Sequence, residues 1–94
     1  MDATELDRRL REEFDPPEGA RRVVVREARD LVDSGDYRAD AGVELTAEAI
    51  ISNLSDAPKE QSLPEKWNWW MGSLGIAYGG YTEFLIVRWE RTNR

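Results

Sequence analysis

A chain of 94 residues without cysteine or histidine is long enough for one hydrophobic core and lacks several kinds of chemistry. Disulfides, thiolate nucleophiles and zinc sites with sulfur ligands are excluded, and so is the commonest general base. The formal net charge of -6 repels phosphate backbones and argues against general nucleic-acid binding. We therefore expect a single domain, residues 1–94, that holds no cofactor or metal and is not an enzyme.

The first third of the chain predicts two helices joined by a proline turn. Apolar residues recur once per turn from Leu6 to Phe14, and Thr4 offers a cap for this first helix. The sequence Asp15-Pro16-Pro17-Glu18 then predicts a stop and a new start, with Asp15 as N-cap and Pro16 as the first helical residue. The second helix should extend to about Ser34.

The same region leaves one alternative open for the fold class. Val23-Val24-Val25 places three β-branched residues in succession, which favours a strand. A second strand at Phe84–Val87 could pair with it. The sequence therefore predicts an all-α bundle of about four helices, with an α+β fold containing a short two-stranded element as the alternative.

The middle of the chain predicts a third helix, from about Tyr37 to Ser55. Gly35 suits a left-handed stop after the second helix, and Asp36 can cap the next one. Many of the apolar residues in this segment are alanines, which let neighbouring helices approach closely. We expect this helix to lie in the middle of the bundle.

The segment from Ala28 to Ile50 resembles the helical hairpin of HEPN domains. In that family an Ala-x-x-Leu helix ends in Gly-Asp-Tyr, and the next helix carries spaced alanines followed by Glu. The matching positions here are Ala28, Leu31, Gly35, Asp36, Tyr37, Ala39, Ala47 and Glu48. The resemblance implies a helical bundle, often dimeric, with RNA cleavage by an Arg-x-x-x-x-His motif in some members. Because this chain contains no histidine, the resemblance implies architecture and a non-catalytic role.

The C-terminal segment from Trp67 to Trp89 holds all four tryptophans and is the stretch around which the fold should be organised. Large apolar residues recur at steps of three and four, which predicts a helix with one broad buried face. Ser62 and Glu65 form a capping box, so we expect the helix to extend from about Leu63 to Glu90. Glycines weaken a helix interior, and the pair Gly79-Gly80 is the expected place for a kink or break.

A membrane anchor is the competing interpretation of this apolar segment. Its length suits a bilayer and a tryptophan stands at each end, but Glu83 lies inside it and the mean hydropathy of the chain is -0.66. Membrane association is therefore disfavoured. The first residues are acidic and lack the apolar run of a signal peptide, so we expect a cytoplasmic protein.

The composition resembles that of proteins from salt-loving archaea. The chain is acidic, and only Lys59 and Lys66 among its 13 basic residues are lysines. In a cytoplasm rich in potassium chloride, an excess of carboxylates keeps a protein hydrated while salt screens their repulsion. We therefore expect a halophilic protein whose folding depends on salt.

The functional prediction is an interaction module that binds a protein partner or a second copy of itself. Apolar residues off the main helical stripe should remain exposed, and the glycines form a smooth strip for another helix. The alternative is a small-ligand or nucleotide-binding HEPN-like protein, or a carboxylate site at Glu83 beside Tyr78 and Tyr81, with Arg88 near it. The predicted interaction residues are Trp69, Gly72, Gly75, Ile76, Gly79, Glu83, Ile86 and Trp89.

Overall fold

The computed structural model of the protein describes residues 1–87. Within that range it contains five α-helices and one 3-10 turn: α1 Ala3–Phe14, α2 Glu18–Ser34, α3 Asp36–Ala41, α4 Ala47–Ser55, α5 Leu63–Tyr78 and the turn Thr82–Phe84. No residue between 1 and 87 lies in a strand, so the all-α prediction is confirmed. The two-stranded alternative is wrong, because Val23–Val25 lie inside α2 and Phe84–Val87 form the end of the 3-10 turn and irregular chain.

The two ends of α1 differ from the prediction, because Asp2 and Asp15 act at ends for which the sequence did not predict them. Asp2, and not Thr4, is the N-cap of α1, and its carboxylate accepts a hydrogen bond from the Thr4 N–H at 2.9 Å. Asp15 ends α1 in the left-handed region, at φ 47°, instead of capping α2. Asp tolerates this conformation better than most residues, and Pro17 then stands at the N-cap of α2.

The predicted third helix is divided into two. Gly42, at φ 81°, ends α3, and the chain is extended at Thr46, which caps α4 by accepting a hydrogen bond from the Ala49 N–H at 3.1 Å. At the preceding turn Gly35 is left-handed, as expected, but Asp36 is the first residue of α3 and not its cap. The left-handed glycine ends one helix, and the threonine cap four residues later begins another. These local signals outweigh the apolar composition, which predicted one continuous helix.

The core is centred on the tryptophans of α5. Trp67 is fully buried and Trp70 is 3% exposed, and their rings meet edge to face at 5.4 Å. Helix α1 packs on α2 and α4, and α5 packs on the same two helices. Leucine, isoleucine and valine side chains fill the space between these helices, so α5 provides the aromatic centre of the bundle.

Helix α5 ends well before Glu90. Gly79, Gly80 and Tyr81 all have positive φ values, of 85°, 85° and 74°, which a right-handed helix cannot contain. The break therefore falls at the glycine pair named from the sequence, and the helix is 16 residues long. Residues 88–90 of the predicted helix lie outside the described part. Among residues 1–87, no helix combines the length and apolar character needed to cross a membrane.

Candidate interaction surface on helix α5

The chain returns along α5 after the helix ends. Residues 79–87, which we call the C-terminal strap, place Phe84 and Ile86 in the core, at 4% and 5% exposure. Phe84 and Ile86 contact Trp67 and Asn68, near the beginning of α5, while Gly79 adjoins its end. The strap therefore runs antiparallel to the helix and covers part of its surface.

Two side chains of α5 hold the strap by its backbone. The Asn68 amide donates to the Ile86 carbonyl at 2.8 Å and accepts from the Ile86 N–H at 2.7 Å. One step earlier, the buried indole N–H of Trp67 donates to the Phe84 carbonyl at 2.8 Å. A carboxamide provides a donor and an acceptor in one plane, so Asn68 pairs with the main chain as a neighbouring strand would.

A third side chain joins the strap to α3. The Tyr81 hydroxyl donates to the Asp40 carboxylate at 2.7 Å, and the side chain is 5% exposed. Burial, followed by the hydrogen bond to Asp40, raises the pKa of Tyr81 above that of a free tyrosine. The hydroxyl thus stays protonated and keeps donating throughout the neutral range.

The two glycines inside α5, Gly72 and Gly75, have different surroundings. A Cβ atom on Gly75 would lie 3.0 Å from the Gly80 carbonyl oxygen, so the first turn of the strap is pressed against the helix at this glycine. The sequence predicted a strip of glycines that faces another helix, but at Gly75 the neighbour is the chain's own turn. Gly72 differs, because a Cβ there would meet nothing within 4 Å.

A small exposed face of α5 remains beside the strap. Trp69 is 38% exposed and Ile76 is 91% exposed, and Gly72 and Ser73 lie between them. At 100° per residue these four positions fall within about 100° of one another. We call them the outer face of α5. No charged residue occurs between Trp67 and Thr82, in a chain in which 34% of the residues are charged.

The other predicted interaction residues do not lie on the outer face of α5. The prediction that Ile86 belongs to the exposed surface is wrong, since Asn68 holds its backbone and its side chain packs in the core. Gly79 forms the turn after α5, Glu83 is exposed on the strap, and Trp89 lies outside the described residues. The structure therefore brings Trp69, Gly72 and Ile76 together, with Gly75 beside Gly72 and Ile76 in one groove against the strap, and leaves Glu83 and Ile86 apart from them.

The predicted carboxylate site is not assembled in the described part of the chain. Tyr78 and Tyr81 are neighbours, with ring centroids 6.5 Å apart, but the Tyr81 hydroxyl is engaged by Asp40 instead of Glu83. Arg88, the remaining member of that site, lies beyond residue 87. A general acid or base needs hydrogen-bonding access to a substrate, which the Tyr81 hydroxyl lacks in this arrangement.

Sequence reasoning missed Asn68 as the residue that positions the strap. Its signal was a single carboxamide between two tryptophans on a largely apolar helix, where a buried polar group needs a partner. The partner could not be named, because the sequence did not show that the chain turns back after Gly79.

These features define a small all-α bundle with an aromatic helix and a backbone strap held by an asparagine. The model of the WNWW domain family matches residues 1–75, which is most of the chain, and the protein belongs to that family. Residues 67–70, which read Trp-Asn-Trp-Trp, lie within the match and include both side chains that hold the strap. No curated protein and no solved structure matches the chain.

Proposed function

We propose that the protein is a non-catalytic interaction module that associates with a second copy of itself through the outer face of α5. One observation carries this proposal: Trp69 and Ile76 are exposed at the two ends of a helix face whose centre, Gly72 and Ser73, is small. Large apolar residues that remain exposed around a smooth backbone are typical of helix–helix contacts.

The spacing on this face is self-complementary. If two α5 helices cross antiparallel about a two-fold axis between residues 72 and 73, Trp69 of each copy lies opposite Ile76 of the other. Gly72 then lies opposite Ser73, where the small residues allow close approach of the two backbones. A two-fold contact requires one surface to match itself, and this sequence of large, small, small and large positions does so.

Charge also favours a second copy over a charged partner at this face. Two molecules of net charge -6 repel each other, but the outer face contains no charged side chain. The nearest charge on this side of the helix is Glu65, whose carboxylate accepts from the Ser62 N–H in the capping box. We further propose a cytoplasmic, salt-rich setting, in which screening would weaken the remaining repulsion.

The contact should be weak. Each copy offers one partly exposed tryptophan, one isoleucine and the atoms between them, which is less than the roughly 800 Å² per partner of a standard interface. Because association also costs translational and rotational freedom, we expect a dissociation constant in the micromolar range or above.

Light scattering after size exclusion tests the proposal, over micromolar to millimolar protein in molar potassium chloride. The wild type should shift from monomer to dimer as its concentration rises. Gly72→Lys should remain monomeric without loss of thermal stability, because a side chain at Gly72 meets open space in the monomer. Ala39→Lys makes the same charge change at an exposed position of α3 and should dimerise like the wild type.

Two results would contradict self-association. A wild type that stays monomeric at millimolar protein would leave only a different protein as the partner of this face. Equal dimerisation of the Gly72→Lys and Ala39→Lys variants would place the contact on another surface.

A further inference from the structure

An open groove of about 330 Å³ lies between α5 and the first part of the strap. Gly72, Gly75 and Ile76 line it on the helix side, and Thr82 and Leu85 line it on the strap side. The two glycines have no side chains to fill the space, and a Cβ on Gly72 would meet nothing within 4 Å. The groove therefore continues the outer face of α5, with which it shares Gly72 and Ile76.

The lining of this groove is uncharged, in a chain in which 34% of the residues are charged. The cavity between the α1–α2 turn and the beginning of α5, by contrast, is lined by two lysines and two carboxylates. An uncharged and largely apolar lining favours an occupant of the same character. The volume is near the lower end of the roughly 300–1,000 Å³ range of ligand pockets, which suits one large side chain.

The self-association proposed above, on which this inference rests, brings such a side chain to the groove. In the antiparallel contact, Trp69 of the second copy is level with Ile76, which borders the groove. Side chains on a helix lean toward its N-terminus, and the two helices run in opposite directions. The second copy's indole therefore leans toward the end of the first copy's α5, where Thr82 and the turn at Gly80 line the groove.

We propose that the indole of Trp69 from a second copy occupies this groove, and that the two-fold axis makes the exchange reciprocal. Trp69 is 38% exposed in the monomer, so part of its ring is available for the contact. Burial of both rings enlarges an interface that the outer face alone leaves below the roughly 800 Å² per partner of a standard contact. Because the groove is open, the indole N–H can keep its hydrogen bond to water.

Thr82→Phe tests the groove without changing the outer face. Thr82 is exposed and lines the groove from the strap, so a phenyl ring there takes the space of the incoming indole. Ser52→Phe is the matched control, at an exposed position of α4 and with the same net charge. By light scattering in molar potassium chloride, Thr82→Phe should raise the dissociation constant of the dimer about tenfold or more, and Ser52→Phe should leave it unchanged.

A double-mutant cycle shows whether Trp69 and the groove act together. Trp69→Leu alone should weaken the dimer about tenfold, because leucine is too short to fill the groove. In the Thr82→Phe background the same change should have little further effect, since the indole no longer enters the groove. In the Ser52→Phe background it should again weaken the dimer about tenfold.

Free 3-methylindole, which is the side chain of tryptophan, tests the groove in the monomer. At protein concentrations below those of dimerisation it should cause saturable shifts of the Gly72, Gly80 and Thr82 amide signals. We expect a dissociation constant on the order of 1 mM for so small a ligand, and no such shifts in Thr82→Phe.

The outcomes separate this inference from self-association itself. A wild type that dimerises, with Thr82→Phe and Ser52→Phe dimers of equal strength, would overturn the groove and leave self-association intact. Additive effects of Thr82→Phe and Trp69→Leu, or no saturable shifts with 3-methylindole, would do the same. A wild type that stays monomeric at millimolar protein would contradict both proposals.

Discussion

Replacement of Asn68 by alanine tests whether its side chain holds the C-terminal strap. The substitution removes two hydrogen bonds, of 2.7 and 2.8 Å, and leaves the Ile86 N–H and C=O to find other partners. Unpaired buried groups cost about 1–3 kcal/mol each, and partial access of water at this site reduces that cost. We therefore expect the free energy of unfolding to fall by roughly 2–4 kcal/mol.

An upper limit follows from the strap itself. If residues 84–87 of the strap detach while Tyr81 stays bound to Asp40, the protein loses the burial of Phe84 and Ile86, which are 4% and 5% exposed, and each contributes about 1.5–3 kcal/mol. Detaching this segment thus costs little more free energy than leaving two buried backbone groups unpaired. The variant should therefore expose the end of the strap before the whole bundle unfolds. A loss of 2 kcal/mol would lower the midpoint of thermal unfolding by roughly 8–16 °C in a domain of this size.

Chemical denaturation followed by circular dichroism gives the free energy, and hydrogen exchange at the Ile86 amide reports the strap directly. Asn53→Ala is the matched control, because the Asn53 amide donates only to the Ala49 carbonyl one turn earlier in α4. The two substitutions make the same change in helix propensity. If Asn68→Ala cost no more than Asn53→Ala and the Ile86 amide stayed protected, the proposed role of Asn68 would be refuted.

Three further predictions concern α5 and the charge of the chain. Gly72→Ala should stabilise the protein by about 1 kcal/mol through helix propensity, whereas Gly75→Ala should lose that gain because its Cβ lies 3.0 Å from the Gly80 carbonyl oxygen. The same change in the free energy of unfolding for both variants in chemical denaturation would contradict this difference in packing. Trp70→Ala and Leu74→Ala should each cost roughly 2–5 kcal/mol, and Trp69→Ala much less, as they are 3%, 8% and 38% exposed; equal losses at the two tryptophans would show that the buried face is misassigned. The thermal midpoint should rise between low and molar salt, because the net charge is -6, and an unchanged midpoint would contradict the halophilic interpretation.

The sequence predicted the helices better than their ends. Periodicity places Leu6, Leu10 and Val24 on buried faces, and all three are fully buried in the structure. The ends depend on which of several eligible residues forms the cap. Asp2 and Thr4 can both cap α1, and the difference is decided by backbone angles that a list of residue types does not contain.

The candidate surface was predicted only in part, because residues 63–87 form helix α5 and the strap and not one continuous helix. Treated as a single helix to Glu90, it places Ile86 on an exposed face and leaves Asn68 without a role. Three consecutive residues with positive φ reverse the chain at Gly79, so every position after that residue has a different neighbour. Trp69 and Ile76 precede the reversal and are exposed, as the helical pattern predicted, and their role in a contact stays a prediction.

A single introduced cysteine would test the self-association geometry most directly, since the wild-type chain contains none. Gly72 adjoins the two-fold axis of the proposed contact, so helix axes about 8 Å apart place the Cα atoms of its two copies roughly 4–6 Å apart, which is within the range for a disulfide. Under mild oxidation in molar potassium chloride, Gly72→Cys should form a disulfide-linked dimer rapidly, and Ala39→Cys should remain largely monomeric at the same concentration. Equal rates of cross-linking at the two positions would contradict a two-fold contact centred on the outer face of α5.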